Sequence, residues 1–147
     1  MTESKNSMLP TLQTIPSRLF DTTVFVDHFR GKIPEATKLI TQAIRGEFPA
    51  AFSILTDAEL WAGLRNKDEQ RAHRIVLSRL QRLPLTLTIA RRAGQLRKQY
   101  QNHSPKTVDM IIAATAEYYN LPIYTDNVKD FDFILSIKAI SYHQPSP

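Results

Sequence analysis

Apolar positions recur along this chain with two periods, and each change of period marks the end of one element and the start of the next. Behind Pro34, the residues Ala36, Leu39, Ile40, Ala43 and Ile44 fall at helical spacing and predict an amphipathic helix to about Gly46. Thr56–Leu64 reads as helix, and so does Asp68–Leu83, with Ile75, Val76, Arg79 and Leu80 on successive turns. Thr88 stands as the cap of a helix running through Tyr100. Ser104 as cap and Pro105 at the first position open another to about Asn120, with Val108, Ile111, Ile112 and Thr115 on one face and Ala113, Ala114 and Ala116 permitting close packing. Between these lie short apolar runs with strand character at Leu19–Phe20, Ala50–Leu55, Pro84–Leu87, Pro122–Thr125 and Ser136–Tyr142. The run V-F-V-D-H-F after Asp21-Thr22-Thr23 is β-branched and aromatic, and propensity alone predicts strand there. Short strands alternating with helices predict an α/β fold with a largely parallel sheet covered on both faces.

A chain of 147 residues fits one domain of this kind. Residues 1–17 read as a polar lead-in, 18–142 as the folded domain and 143–147 as a tail. The absence of cysteine excludes Cys-based zinc sites, iron–sulfur clusters, thiol catalysis and a disulfide framework. The N-terminal stretch lacks the pattern of a secretory signal, and no apolar run reaches the ~20 residues needed to span a bilayer, so a soluble, cytoplasmic protein with no membrane partner is expected. Gly31, Gly46, Gly63 and Gly94 stand too far apart for a phosphate-cradling loop. His28, His73, His103 and His143 form no metal-binding pair and read as surface residues.

Charge is unevenly spread. Between Glu69 and Asp109 there is no carboxylate, yet the stretch carries nine cations (Arg71, Arg74, Arg79, Arg82, Arg91, Arg92, Arg97, Lys98 and Lys106), leaving 10 cations against 14 anions elsewhere. Such a block is either the footprint of a polyanion, whose binding releases counterions, or a set of solvated helix faces.

The acids complete the picture. In open α/β sheets ligands sit beyond the carboxyl ends of the strands. Asp21 and Asp126 follow predicted strands, Glu59 lies one turn into the helix after another, and Asp109 occupies the first turn of its helix. Convergent carboxylates repel unless a cation neutralises them, and hard oxygen ligands without Cys or paired His select Mg²⁺ or Mn²⁺. Such ions activate water for in-line attack on a phosphodiester, so an acidic pocket beside a basic surface describes a nuclease. Each acid also has a plain structural reading. Thr56-x-x-Glu59 matches a capping box, Asp109 complements a helix dipole, and Asp21 and Asp126 suit turns.

The segments that carry these acids resemble the PIN-domain family, in particular VapC-type toxin ribonucleases of toxin–antitoxin pairs. The matching pieces are L-F-D-T-T-V-F-V-D-H-F-R-G at Leu19–Gly31, S-I-L-T-D-A-E-L-W-A-G-L-R at Ser53–Arg65, V-D-M-I-I-A-A-T-A at Val108–Ala116 and L-P-I-Y-T-D-N-V-K-D-F at Leu121–Phe131. The resemblance implies a three-layer α/β/α fold with a central, mainly parallel sheet, and a helix at Val24–Phe29 where propensity predicts strand. It implies that Asp21, Glu59 and Asp109 are catalytic and hold Mg²⁺ or Mn²⁺. The family's fourth metal-site position falls on Asn127, with Asp126 and Asp130 beside it, so Asp126 and Asn127 are taken with the three acids as metal-site residues. Thr22, Ser53 and Thr125 are candidates to orient the acids. Thr23 stands where the family commonly has Asn.

The same resemblance implies an RNA substrate, a cognate antitoxin and a homodimer. Arg91, Arg92, Arg97 and Lys98 cluster on one predicted helix as candidates for RNA backbone contacts. Trp61 reads first as a core residue, with a partner surface formed by it and the Ile33–Ile44 helix as the alternative. Two competing functions share these features: a PIN-like module acting with an antitoxin in a DNA-bound regulatory complex with little cleavage, and a metal-dependent DNA exonuclease.

Overall fold

The computed structural model describes residues 15–143. Most of the expected lead-in and tail lie outside them. Five strands, β1 (Arg18–Phe20), β2 (Ala50–Ser53), β3 (Gln81–Leu83), β4 (Ile123–Thr125) and β5 (Ala139–Ser141), form one sheet in the order β3-β2-β1-β4-β5. Every pairing is parallel. Six helices connect them: α1 (Thr22–Arg30), α2 (Pro34–Ile44), α3 (Ile54–Ala62), α4 (Lys67–Leu77), α5 (Leu87–Gln99) and α6 (Thr107–Tyr119). Among the described residues no helix is long and apolar enough to cross a membrane.

Alternation along the strands divides the core into two. Leu19 and Ala51 point to one face, under α5 and α6 with Ile89, Leu96, Met110 and Ile112. Phe20 and Phe52 point to the other, where Val24, Phe25, Ile40, Leu60 and Val76 of α1–α4 close over them. The result is the expected α/β/α sandwich.

Tertiary packing overrides local preference in several places. V-F-V-D-H-F forms α1 rather than a strand, because Val24 and Phe25 bury completely against the sheet and Gly31, at φ 71°, ends the helix in the left-handed conformation. The α3 helix starts at Ile54 with Ser53 as its cap, which shortens the β2 run expected to reach Leu55. The helix expected over Asp68–Leu83 stops at Leu77, and Gln81–Leu83 pairs with β2 instead of Pro84–Leu87, whose prolyl nitrogen has no hydrogen to donate. Thr86 rather than Thr88 caps α5, accepting from the Ile89 N–H at 3.2 Å. Ser104 adopts a left-handed φ of 49°, so α6 begins after Lys106, without a side-chain cap. Nor are all the histidines at the surface: His73 is buried and stacks on Phe29 with ring centroids 3.7 Å apart.

Candidate active site

All strands being parallel, their carboxyl ends share one edge, and β1 lies at the middle of it. Asp21 follows β1 directly and caps α1 with its backbone, not with its side chain. That carboxylate is 5% exposed, and burial raises its pKa against the opposing pull of its hydrogen bonds. Thr125, the last residue of β4, donates to Asp21 Oδ2 at 2.8 Å, and Thr23 donates to the same oxygen at 3.0 Å. Both hydroxyls are themselves fixed by backbone, accepting from Asn127 N–H at 2.9 Å and Asp126 N–H at 3.0 Å. A backbone hydrogen bond from Thr22 to the Asp21 carboxylate adds to the two from hydroxyls.

Glu59 arrives from α3 and is held differently. Thr22 donates to Glu59 Oε1 at 2.6 Å. Its only hydrogen being spent, Thr22 accepts from buried Thr56 at 2.9 Å, giving the relay Thr56 to Thr22 to Glu59. The capping-box reading therefore fails: Thr56 lies inside α3, and Glu59 is engaged by α1 rather than by the amide of Thr56. Ser53, a candidate to orient an acid, instead accepts from Leu55 N–H at 3.1 Å as the helix cap.

Asp109, in the first turn of α6, is half-buried, and its pKa is pushed up to about 6. Desolvation is the main cause, followed by the charges of Asp130 and Asp21, with Glu59 adding to them and Lys106 opposing. Four acids from four segments thus share one field. Among the described residues none of the four is ion-paired with a lysine or arginine, whereas Asp57, Glu69 and Glu117 each are. Oxygen donors that repel one another, two of them positioned by hydroxyls, are the chemistry a hard divalent cation takes, although among the described residues no three of these four acids bring ligand atoms within 4.8 Å of one another.

The family model for the PIN domain matches residues 18–133. The chain belongs to the PIN domain family. Ribonuclease VapC10 of Mycobacterium tuberculosis is 33% identical over 133 residues, 86% of this chain and 97% of that protein. Ribonuclease VapC19 of the same organism is 36% identical over 116 residues, 78% of this chain and 91% of that protein. A chain in the structure of a toxin-antitoxin complex from Klebsiella pneumoniae superposes with a TM-score of 0.71 at 30% identity, covering 88% of this chain and 100% of that one.

Within this PIN domain, the segment after β4 separates its three candidate residues. Asp130, in the short turn Val128–Asp130, is the residue whose charge acts most strongly on Asp109. Asn127 is tied to the site by its backbone N–H. Asp126 turns instead toward the C-terminal segment, where its Oδ1 lies 2.5 Å from His143 Nε2. Those two and Asp27 bring ligand atoms within 4.8 Å of one another, and the Tyr142 hydroxyl bonds Asp27. The sequence carried one sign of Asp130: it stands four residues after Asp126, so a single turn beyond the strand carries it back over the strand end.

The cations of α5 divide as well. Arg92 is clamped by Glu117 through two bonds of 2.6 and 2.9 Å. Arg91, Arg97 and Lys98 are exposed, and Arg97 donates to the Pro105 carbonyl at 3.3 Å. Trp61 is 46% exposed, contrary to a core role, and joins Ile54 on the outer face of α3.

Proposed function

We propose that this protein is a divalent-metal-dependent endoribonuclease, the toxin of a toxin–antitoxin pair. The observation that carries the reading is the unneutralised set Asp21, Glu59, Asp109 and Asp130 at the carboxyl edge of the sheet, and the ribonuclease names of its relatives favour RNA over DNA as substrate. A set of acids left without cationic partners is costly to keep in a protein that only binds, which disfavours the regulatory-module alternative.

Asp21, Glu59 and Asp109, with Asp130 as the fourth acid, would hold Mg²⁺ or Mn²⁺. Bound there, the ion supplies Lewis acidity for phosphodiester hydrolysis and charge neutralisation for the approaching phosphate. The chain does the rest. Thr125 and Thr23 hold Asp21 in one rotamer, the Thr56–Thr22 relay holds Glu59, and the raised pKa of Asp109 reflects the burial and mutual repulsion that a bound cation would offset.

An antitoxin segment suits the cleft of about 700 Å³ between α1, α3 and α4, where Phe29, Leu60 and Leu64 offer apolar contact and Glu59 is part of the lining. A cationic side chain on that segment would neutralise the acids in place of metal. Exposed Ile54 and Trp61 on α3, with Leu85 and Leu87 beyond β3, suit a homodimer contact. Action on RNA and pairing with an antitoxin both point to the cytoplasm.

The test is incubation of end-labelled total RNA with antitoxin-free protein and Mg²⁺ or Mn²⁺, beside EDTA and the Asp109→Ala variant. Discrete fragments that vanish with chelator and with the variant are expected. RNA left intact by wild type under both metals would overturn the enzyme reading.

A further inference from the structure

The nine-cation stretch is not one uniform surface. Arg82 is spent on Asp57 and Arg92 on Glu117. At the other end of α5, Arg97, Lys98 and Gly94 join Gln101, Ser104 and Pro105 around an open cleft of about 580 Å³. No carboxylate lines it, and among the described residues none pairs with Arg97, Lys98 or Lys106. Arg97 is steadied by its bond to the Pro105 carbonyl, which uses one of its five N–H donors and leaves the rest of the guanidinium for a ligand. Gly94 gives the cleft a bare floor: a Cβ there would meet nothing within 4 Å. The chain then turns sharply at Ser104 and enters α6, placing Lys106 one helical turn, ~5 Å of rise, before Asp109. The Lys106 charge reaches the Asp109 carboxyl.

We propose that this corner, Arg97 and Lys98 around the Gly94 floor with Lys106 next in the chain after Pro105, seats a backbone phosphate of the RNA strand while a neighbouring phosphodiester lies at the acids. The inference rests on the ribonuclease reading. Its physical motive is that a pocket of four acids repels a polyanion, so the strand needs a grip close by that is acid-free and set in place before it arrives. Phosphate contacts of this type fix register without reading bases, so the corner governs how tightly RNA is held rather than which RNA is cut.

Gly94 permits a test in which the added Cβ meets no neighbour. Full-length wild type, Gly94→Glu, Gly94→Gln, the double variant Lys98→Gln/Lys106→Gln, and Lys38→Gln on the opposite layer are compared. Binding of a fluorescein-labelled single-stranded RNA oligonucleotide is read by anisotropy in EDTA over a range of salt. Gly94→Glu and the double variant are expected to weaken binding at least fivefold, and Gly94→Gln and Lys38→Gln less than twofold. The slope of log affinity against log salt should flatten in the double variant by roughly 0.7 for each phosphate that the protein no longer neutralises. With Mg²⁺, the RNA concentration giving half-maximal cleavage should rise in Gly94→Glu, while its rate at saturation holds. Matching unfolding midpoints for the two Gly94 variants would show that charge, not folding, is being measured.

Equal affinities across the set, or an equal loss in Lys38→Gln, would overturn the corner as a specific grip. So would normal RNA binding in Gly94→Glu with loss of antitoxin binding, which would make the corner a protein contact. Failure of the ribonuclease reading looks different: wild type would leave RNA intact in Mg²⁺ whatever the anisotropy shows.

Discussion

Thr125 donates to Asp21 Oδ2 at 2.8 Å across 104 residues of sequence, and this bond crosses from β4 to the end of β1 at the centre of the sheet. It fixes the most buried acid of the pocket by means of a side chain that has no chemistry of its own. Replacing Thr125 with Val keeps the shape and removes the bond. The expected cost is about 1 kcal/mol of stability and roughly 10- to 100-fold in divalent-metal affinity. Calorimetric titration with Mn²⁺ beside chemical denaturation separates the two effects.

Thr22→Val should act on Glu59 in the same way. It takes away the 2.6 Å bond to Glu59 and leaves Thr56 without its acceptor. Activity should fall at limiting metal and recover in part at high metal, because the carboxylate remains but is no longer held. A loss that high metal does not relieve would count against the orienting role.

The acids set a pH dependence with a definite sign. Folded Asp109 keeps its proton up to about 6, whereas its ordinary value is 3.8. Between those values the folded chain binds more protons than the unfolded one, so stability falls as pH rises through the window. Buried Asp21 shifts in the same direction. Metal-free protein should therefore unfold at a higher temperature at pH 5 than at pH 7.5, and saturating Mg²⁺ should reverse the order. A scanning-fluorimetry series with and without EDTA decides it.

Asp109→Asn should abolish cleavage and yet stabilise the metal-free protein at pH 7.5 by a few degrees, since it removes one charge from a mutually repelling group. Loss of activity with a lowered unfolding temperature would instead mean that Asp109 holds the fold together.

Arg92→Gln should leave RNA affinity within twofold of wild type, because its guanidinium is already held by Glu117. The partly exposed pair contributes at most ~1 kcal/mol, which a denaturant midpoint would register. A large loss of RNA binding would place Arg92 among the phosphate contacts.

The α/β architecture was legible because short apolar runs alternate with amphipathic ones, and Asp21, Glu59 and Asp109 were legible through their positions after strands and the family's motifs. What misled was local. Val24 and Phe25 favour strand in isolation and are helical only because the sheet needs their bulk on one face. Glu59 fits a capping box by spacing, but its partner Thr22 comes from 37 residues away, which no local pattern encodes. The pairing of Arg92 with Glu117 likewise depends on how α5 lies against α6. Trp61 misled through its size, since a large apolar side chain argues for a core that the outer face of α3 does not provide.

The pocket is assembled from residues 21, 59, 109 and 130 of a 147-residue chain. No growing polypeptide shorter than 130 residues contains it, so a nascent chain carries an incomplete set of acids until Asp130 has been joined. For the same reason no fragment that ends before Asp130 carries the whole set of acids, and a proteolytic cut that separates β1 from β4 would disarm the molecule without touching a single acid.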